Sequence, residues 1–573
     1  MNTAIKALLR REGCCAMGRF RTRRELALAM RDDIHSAFSA AGDSLRDNTP
    51  PYYSRERLYF SETLFVCGGA ADLRLANAII RKTPCDDNRF LAFAALELLL
   101  DRADALTPAA REHLMDILRR HVANLIDMRF GSPGVNNIVL MATCCLLGCS
   151  QILDQYEWAH PVGSCPEVYT AGRLLQHGMN GLYAVGYCME HEPILREWNS
   201  SAYAPLTVHA LASIVERIDD PEAKAIALRT EAMVWRQILA CWHPELDLLC
   251  GPYSWAYWGD MFQDTTGMHH VMTYLGLSRT RSFREWIARR AVARDIDGIE
   301  IDDWSMAIWY TNTRFHIPED ALRELSSRRY PVRHEHAIRW EPFGVLGSTA
   351  TPTADHIPTK RPAPVFPAQG TAFPGGTGTA VWELYPHHAV GYRSAHTMQT
   401  DSHPLYLHYG TKSCPNPRRN VNTIVLGILH CGLGEQLSTT GAVDVWRANG
   451  RYHLSGSLPD TLRRLPFTEI SLNCLIGMTA GMPETVSLCG KPFQDETVEH
   501  VGREAIVTLI HGDFRAEIGY TFAKPVTTRL FRWNNVLRLC ATFQVNEERL
   551  PSAADLRLPK WEGWLRLRPA TGK

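Results

Sequence analysis

At 573 residues the chain is too long for one ordinary hydrophobic core, so two or more domains are expected. Hydrophobic residues at 45% and charged residues at 21% describe a soluble globular protein. Lys and Arg total 61 and so do Asp and Glu, so no global field attracts a polyanion and nucleic acid is not an expected partner.

The first stretch, Met1 to Phe20, is basic, but Arg10, Arg11, Glu12 and Gly13 interrupt any apolar run. It does not read as a signal peptide, and the location expected is cytoplasmic, or secreted or periplasmic if the start codon lies elsewhere. No run of about 18 apolar residues occurs, so neither a membrane span nor a membrane partner is expected. The 16 cysteines are scattered, which suits a reducing compartment better than a disulfide framework.

Residues 1–50 read as an N-terminal helical extension and 51–317 as an all-helical domain. Leu91, Ala95, Leu98 and Leu99 share a helical face. Thr107-Pro108 is a start signal, with Thr107 as cap and Pro108 in the first turn. Behind it Leu114, Ile117, Leu118, Val122, Leu125 and Ile126 recur at three- and four-residue steps. Asn137 to Leu153 reads as another helix, and Asp220-Pro221-Glu222 opens one that runs to about Cys241. Helices of similar length joined by short loops suit antiparallel pairs, and a ring of such hairpins, an α/α toroid, would gather helix ends at one mouth.

Residues 318–378 break the pattern. Seven prolines fall from Pro342 to Pro374, followed by Gly375-Gly376-Thr377-Gly378, and some of this is expected to be linker or extended wrapping chain. From 379 to 573 the period changes to two. Leu405 to Tyr409, Thr423 to Leu429, Ala505 to Ile510, Arg515 to Tyr520 and Trp564 to Arg568 read as strands. Asn449-Gly450 is a hairpin turn, and His511-Gly512-Asp513 turns another. Strand after strand without helices predicts an antiparallel β-sandwich.

Residues 197–260 carry two dense polar-aromatic clusters. Glu197-Trp198-Asn199-Ser200-Ser201-Ala202-Tyr203 opens the stretch, and Gly251-Pro252-Tyr253-Ser254-Trp255-Ala256-Tyr257-Trp258-Gly259-Asp260 closes it. Aromatics that stack on pyranose faces, beside amides and carboxylates that reach hydroxyls, would wall a sugar cleft; core packing is the plainer account of any single aromatic. A helical domain followed by a β-domain, with these clusters and Val135-Asn136-Asn137-Ile138, resembles the toroid-plus-sandwich polysaccharide lyases, the heparinase II/III-like and alginate-lyase-like group.

The resemblance implies β-elimination beside a uronic acid, and it needs a group to neutralise the carboxylate, a base and an acid. Asn199 is a candidate neutraliser, or a turn residue. Asn136 or Asn137 would sit beside free N–H groups at a helix start, or cap that helix. Tyr203 reads as the base, with His209 as its partner or a core histidine. Tyr253 and Tyr257, four apart, are candidate acids. Glu197, Trp198, Trp255, Asp260 and His269 would line the cleft, and Arg393 and His396 would reach it from the β-domain. His269-His270 cannot both face one ion from a helix, and Cys144, Cys145 and Cys149 lack ligand spacing, so neither metal nor cofactor is expected. The partner implied is a uronate-containing glycan, and a cytoplasmic enzyme would meet it as imported oligosaccharides. Two other classes stay open. Glu197 and Asp260, with Asp264 in reserve, could form the carboxylate pair of a glycoside hydrolase, or the clusters could bind sugar without catalysis. The sequence sets neither the sugar nor the oligomeric state.

Overall fold

A computed structural model describes residues 20–41, 54–85, 89–131, 136–153, 155–159, 166–191, 198–253, 267–278, 302–340, 376–394, 403–410, 421–433, 436–439, 442–457, 469–478, 480–533, 536–545 and 560–569. The chain divides into two compact units: residues 1–198, 202–239 and 267–327 form one, and residues 199–201, 240–266 and 328–573 the other. Each is described in turn.

The first unit is helical. Its helices are α1 (Phe20–Ala41), α2 (Ser54–Cys67), α3 (Ala70–Arg81), α4 (Arg89–Asp101), α5 (Pro108–Gly131), α6 (Asn136–Ile152), α7 (Ala171–His191), α8 (Ala204–Arg217), α9 (Pro221–Cys241), α10 (Gly267–Leu275), α11 (Asp302–Tyr310) and α12 (Glu319–Ser327); one hairpin, β1 (Gln155–Ala159) with β2 (Pro166–Thr170), interrupts them. Local chemistry sets the helix starts. The Ala110 N–H donates to Thr107 Oγ1 at 3.4 Å, and the Ala223 N–H donates to Asp220 Oδ1 at 2.8 Å. Each side chain thus satisfies an amide that the first turn leaves unpaired. The helix α6 packs on α4, α5, α7 and α8. Residues 204–214 of α8 are all buried, so this helix is covered on every side.

Charge lies inside this helical core. The fully buried Glu97 receives hydrogen bonds from Ser213 Oγ and Trp309 Nε1, both at 2.7 Å. His209 Nε2 lies 2.8 Å and Arg217 Nη1 3.4 Å from the same carboxylate. Burial alone would raise the Glu97 pKa, but the His209 and Arg217 charges and these hydrogen bonds hold it down to about 2. Arg217 also forks onto Asp101 at 2.9 and 2.6 Å. A second buried carboxylate, Glu62, is held by Arg23 at 2.6 Å and Arg102 at 2.7 Å.

The second unit is a large antiparallel sheet. Its main path runs β11 (Ala442–Ala448), β12 (Arg451–Ser457), β19 (Trp561–Pro569), β17 (Phe514–Trp533), β18 (Val536–Val545), β13 (Glu469–Gly477), β9 (Val421–Leu433), β8 (Leu405–Gly410), β7 (His388–Ser394), β6 (Gly376–Leu384) and β5 (Val332–Trp340). Off this path, β10 (Gln436–Thr439) pairs with β9, and β14 (Thr485–Leu488) joins β15 (Lys491–Pro492) to β16 (Val498–His511), which pairs with β17. A short hairpin, β3 (Trp242–His243) with β4 (Leu248–Leu249), belongs to the same unit. The Asn449-Gly450 turn joins β11 to β12 with both residues at positive φ, 51° and 71°, the conformation that lets a two-residue turn follow the strand twist.

One face of the sheet carries the core. Val381, Val390, Tyr392, Leu405, Leu407, Ile424 and Leu426 pack with Val443, Val445, Tyr452 and Leu454, and β11 lies on β7 although the two stand far apart along the path. The sheet therefore folds back on itself, as a sandwich does. Buried Glu383 joins the two layers. Tyr452 Oη donates to its carboxylate at 2.5 Å, Arg447 Nη1 at 2.9 Å and Tyr385 Oη at 3.0 Å. Within the stretch expected to be linker, the structure places α12 and β5; residues 341–375 lie outside the described residues. No helix among the described residues is long and apolar enough to cross a membrane.

Candidate functional site

The face of β6, β7, β8 and β9 opposite the core builds a site. Cross-strand pairing sets Trp382, Gly391, Tyr406 and Val425 in one row and Ala389, His408 and Thr423 in the next. Against these rows lies the segment that leaves β4, residues 250–253. An added Cβ on Gly391 would fall 1.4 Å from the Gly251 carbonyl oxygen, so only glycine lets the turn lie on this strand.

Side chains hold that segment by its backbone. Asn199, at φ 49°, donates through Nδ2 to the carbonyl oxygens of Cys250 at 2.6 Å and Pro252 at 2.8 Å. Left-handed φ is tolerated by asparagine better than by most residues. The Trp382 indole N–H also donates to the Cys250 oxygen, at 2.9 Å. The Gly251 N–H donates to His408 Nε2 at 3.0 Å. An Nε2 that accepts carries no proton, so His408 is read as neutral, with its proton on Nδ1 and directed to Thr423 Oγ1 at 2.9 Å.

The pinned segment delivers Tyr253. Its hydroxyl donates to the Leu249 carbonyl oxygen and lies 3.4 Å from His408 Nε2, and its ring meets Tyr406 edge-on at 4.9 Å. Below, His243 supports the β3–β4 hairpin. It accepts from the Leu246 N–H at 3.2 Å and donates to the Tyr385 oxygen at 2.6 Å; burial pulls its pKa down to about 4 against that second bond. One polar atom here is unspent: Asn199 Oδ1 is buried and accepts no hydrogen bond among the described residues. A cation stands on the same sheet. Arg393 is buried, burial pulls its pKa down to about 10, and it lies close enough to Tyr406 for that phenol to act on it.

The residues singled out from the sequence distribute as follows. Asn199, Tyr253 and Arg393 fall in the β unit. Tyr203, His209, Asn137, Trp198 and His269 fall in the helical unit. Tyr203 precedes α8, and its carbonyl oxygen accepts from the Thr207 N–H at 3.0 Å. His209 is fully buried between Glu97 and the Tyr310 carbonyl oxygen, the latter at 3.2 Å from Nδ1. Asn137 and Trp198 are each 1% exposed, and His269 lies on α10, whose residues 268–275 are all buried. Asn136 opens α6, with its side chain outside the description. Glu197, Trp255, Tyr257, Asp260, Asp264 and His396 lie outside the described residues. Burial pushes the Cys149 thiol up to about 12 and the Cys144 and Cys145 thiols higher, so none is a reactive thiolate. Among the described residues no group of three or more His, Cys, Asp or Glu side chains is placed to hold a metal ion.

Sequence reasoning missed His408, Thr423, Tyr406 and Trp382. A signal was present: Leu405-Tyr406-Leu407-His408-Tyr409 is apolar or aromatic at every position but one, and that exception in a strand buried on both faces is the residue to question.

No protein-family description matches the chain, and no curated protein matches it. Solved structures do. Heparinase III aligns with 92% of this chain and 79% of its own, at 8% identity and a TM-score of 0.40. The Streptomyces coelicolor A3 chondroitin AC lyase, solved with chondroitin sulphate, aligns with 97% of this chain and 80% of its own, at 11% identity and a TM-score of 0.40. Likeness at these identities carries no residue's role across.

Proposed function

We propose that the chain is a glycan lyase that breaks a glycosidic bond beside a uronate by β-elimination, with Asn199, Tyr253 and His408 at its centre. The observation that carries this reading is the meeting of an amide, a phenol and an imidazole in one hydrogen-bonded group, from positions 199, 253 and 408.

The chemistry has three demands. The proton beside a carboxylate is weakly acidic until that carboxylate's charge is offset. The unpartnered Oδ1 of Asn199, once substrate reaches it, would accept a hydrogen bond from the carboxyl in its protonated form, and the Arg393 cation raises the preference of this region for an anion. A base must then take the proton, and an acid must return one to the departing glycosidic oxygen as the carbon–oxygen bond breaks and the ring double bond forms. The Tyr253 hydroxyl serves as the group that moves protons, and His408 Nε2, once it releases the Gly251 N–H that it accepts from, takes or returns one. Phenol and neutral imidazole can each be acid or base, which suits one pair to both halves of the reaction.

Incubation with alginate, polygalacturonate, hyaluronan and heparan sulfate tests this. A rise in the ultraviolet band of the unsaturated uronate with at least one polymer is expected. Reducing-sugar release without that band would move the function to hydrolysis by Glu197 and Asp260.

A further inference from the structure

The second face that stands out lies at the other end of the β path. Cross-strand pairing sets Trp446, His453, Trp564 and Gly519 in one row over β11, β12, β19 and β17. These positions alternate with Val445, Leu454 and Leu565, which enter the core, so the row faces away from it. Trp446 is 43% exposed and stacks on His453, with ring centres 5.6 Å apart and planes 13° apart. An added Cβ on Gly519 would lie 2.1 Å from the Trp564 ring, so that indole lies flat along the sheet. Four strands at about 4.8 Å spacing make a strip about 14 Å long.

Charge is sorted beside this strip. On one side stand Arg451, whose guanidinium lies over the Trp564 ring at 4.7 Å, and Arg566. Neither forms an ion pair among the described residues. Glu517 stands opposite Arg566 in the register, but its ion pair is with Arg515, at 3.8 Å. On the other side stand Asp444, paired with Ser455, and Glu562. Aromatic rings lend a flat apolar surface to a pyranose, and an unpaired guanidinium binds a carboxylate with two parallel hydrogen bonds.

We propose that this strip is an accessory binding surface for an anionic, uronate-bearing glycan chain, separate from the Tyr253 group. Sugar rings lie along Trp446 and His453, and carboxylates point to Arg451, held over the Trp564 ring, and to Arg566. The acids on the far side repel a chain laid in the opposite sense and so fix its direction. The proposal rests on the uronate reading for the identity of the ligand, but the surface does not require catalysis.

Retention of the full-length protein in gels containing hyaluronan, polygalacturonate or neutral dextran tests it. Wild type is expected to be retarded by at least one polyuronate and not by dextran, less so as salt rises. Trp446→Ala is expected to weaken retention about tenfold, and Arg451→Ala with Arg566→Ala to weaken it similarly and flatten its salt dependence. Trp446→Phe is expected to restore most of it. Unchanged retention of Trp446→Ala and of the double arginine variant overturns the proposal, as does equal retention by dextran or none by either polyuronate. Tyr253→Phe separates the two readings. It keeps retention if the strip binds on its own, whereas elimination by wild type together with an indifferent Trp446→Ala leaves the lyase standing and removes the strip.

Discussion

Two buried polar groups, one in each unit, are built on opposite plans. Around Glu97 the helical unit collects charge: a carboxylate, an arginine and a histidine, with a serine and an indole completing the hydrogen bonds. Around Tyr253 the β unit collects uncharged groups, an amide, a phenol and an imidazole, fixed to backbone atoms of residues 249–252. The charges of the first cluster lie against one another, which holds helices together. The second keeps an unspent acceptor, Asn199 Oδ1, and sets a phenol oxygen 3.4 Å from an imidazole nitrogen. Opposite charges paired in a core mark architecture, and an uncharged group with a buried acceptor left over marks a place where something else can bind.

The sharpest way to break this comparison is to remove one atom from each cluster. Tyr253→Phe is expected to lower elimination by about 10²- to 10⁴-fold, the usual contribution of a positioned acid or base, and to cost about 1–3 kcal/mol through the lost bond to the Leu249 oxygen. Glu97→Leu is expected to act on stability instead. It strands Arg217 and His209 inside the core and destabilises the helical unit by about 3–5 kcal/mol, read by denaturant titration. A Glu97→Leu protein as stable as wild type would remove the distinction.

Acidity offers a second contrast. His316 donates to Glu231 Oε2 and Glu216 Oε1, both at 2.9 Å. Burial opposes its charge, yet these two carboxylates raise its pKa. A raised histidine adds stability that is full below the ordinary value of 6.5 and is lost as pH rises through the folded value. His243 behaves oppositely. Burial lowers its pKa to about 4, so its contribution is present above 6.5 and is lost as pH falls from 6.5 toward 4. Melting curves followed from pH 4 to 9 are expected to show the β unit weakening toward acid and the helical unit toward base. His316→Leu is expected to flatten only the basic limb; an unchanged basic limb in that variant would assign the slope to other groups. The smallest effect is expected from Tyr203→Phe, which should leave elimination within about twofold if Tyr253 moves the proton; a loss as large as that of Tyr253→Phe would return the base to Tyr203.

The same contrast explains which features local sequence could reveal. Thr107-Pro108, Asp220-Pro221 and Asn449-Gly450 announce the start of α5, the start of α9 and the β11–β12 turn, because caps and tight turns depend on two or three adjacent residues. Strands β16 and β17 reach 14 and 20 residues, far beyond the stretches 505–510 and 515–520 that alternation suggests. Gly502 and Pro525 lie within these strands, and the register shift between Gly502 and Glu504 accommodates both in a bulge. Asn199 and Tyr253 draw notice because each sits in an unusual loop. His408 does not. It lies on β8, buried on both faces, and its role arises only when residues 250–253, more than 150 positions earlier, fold onto that strand. No periodicity records a meeting of that kind.

The central claim is that Tyr253 and His408 act as one proton-moving unit, and a double-variant cycle tests it most directly. Elimination is measured on one polyuronate for wild type, Tyr253→Phe, His408→Gln and the double variant, each confirmed folded by its melting curve. If the two act together, the double variant is no slower than the slower single variant. Losses that multiply, each residue costing its full factor in the absence of the other, would contradict the account.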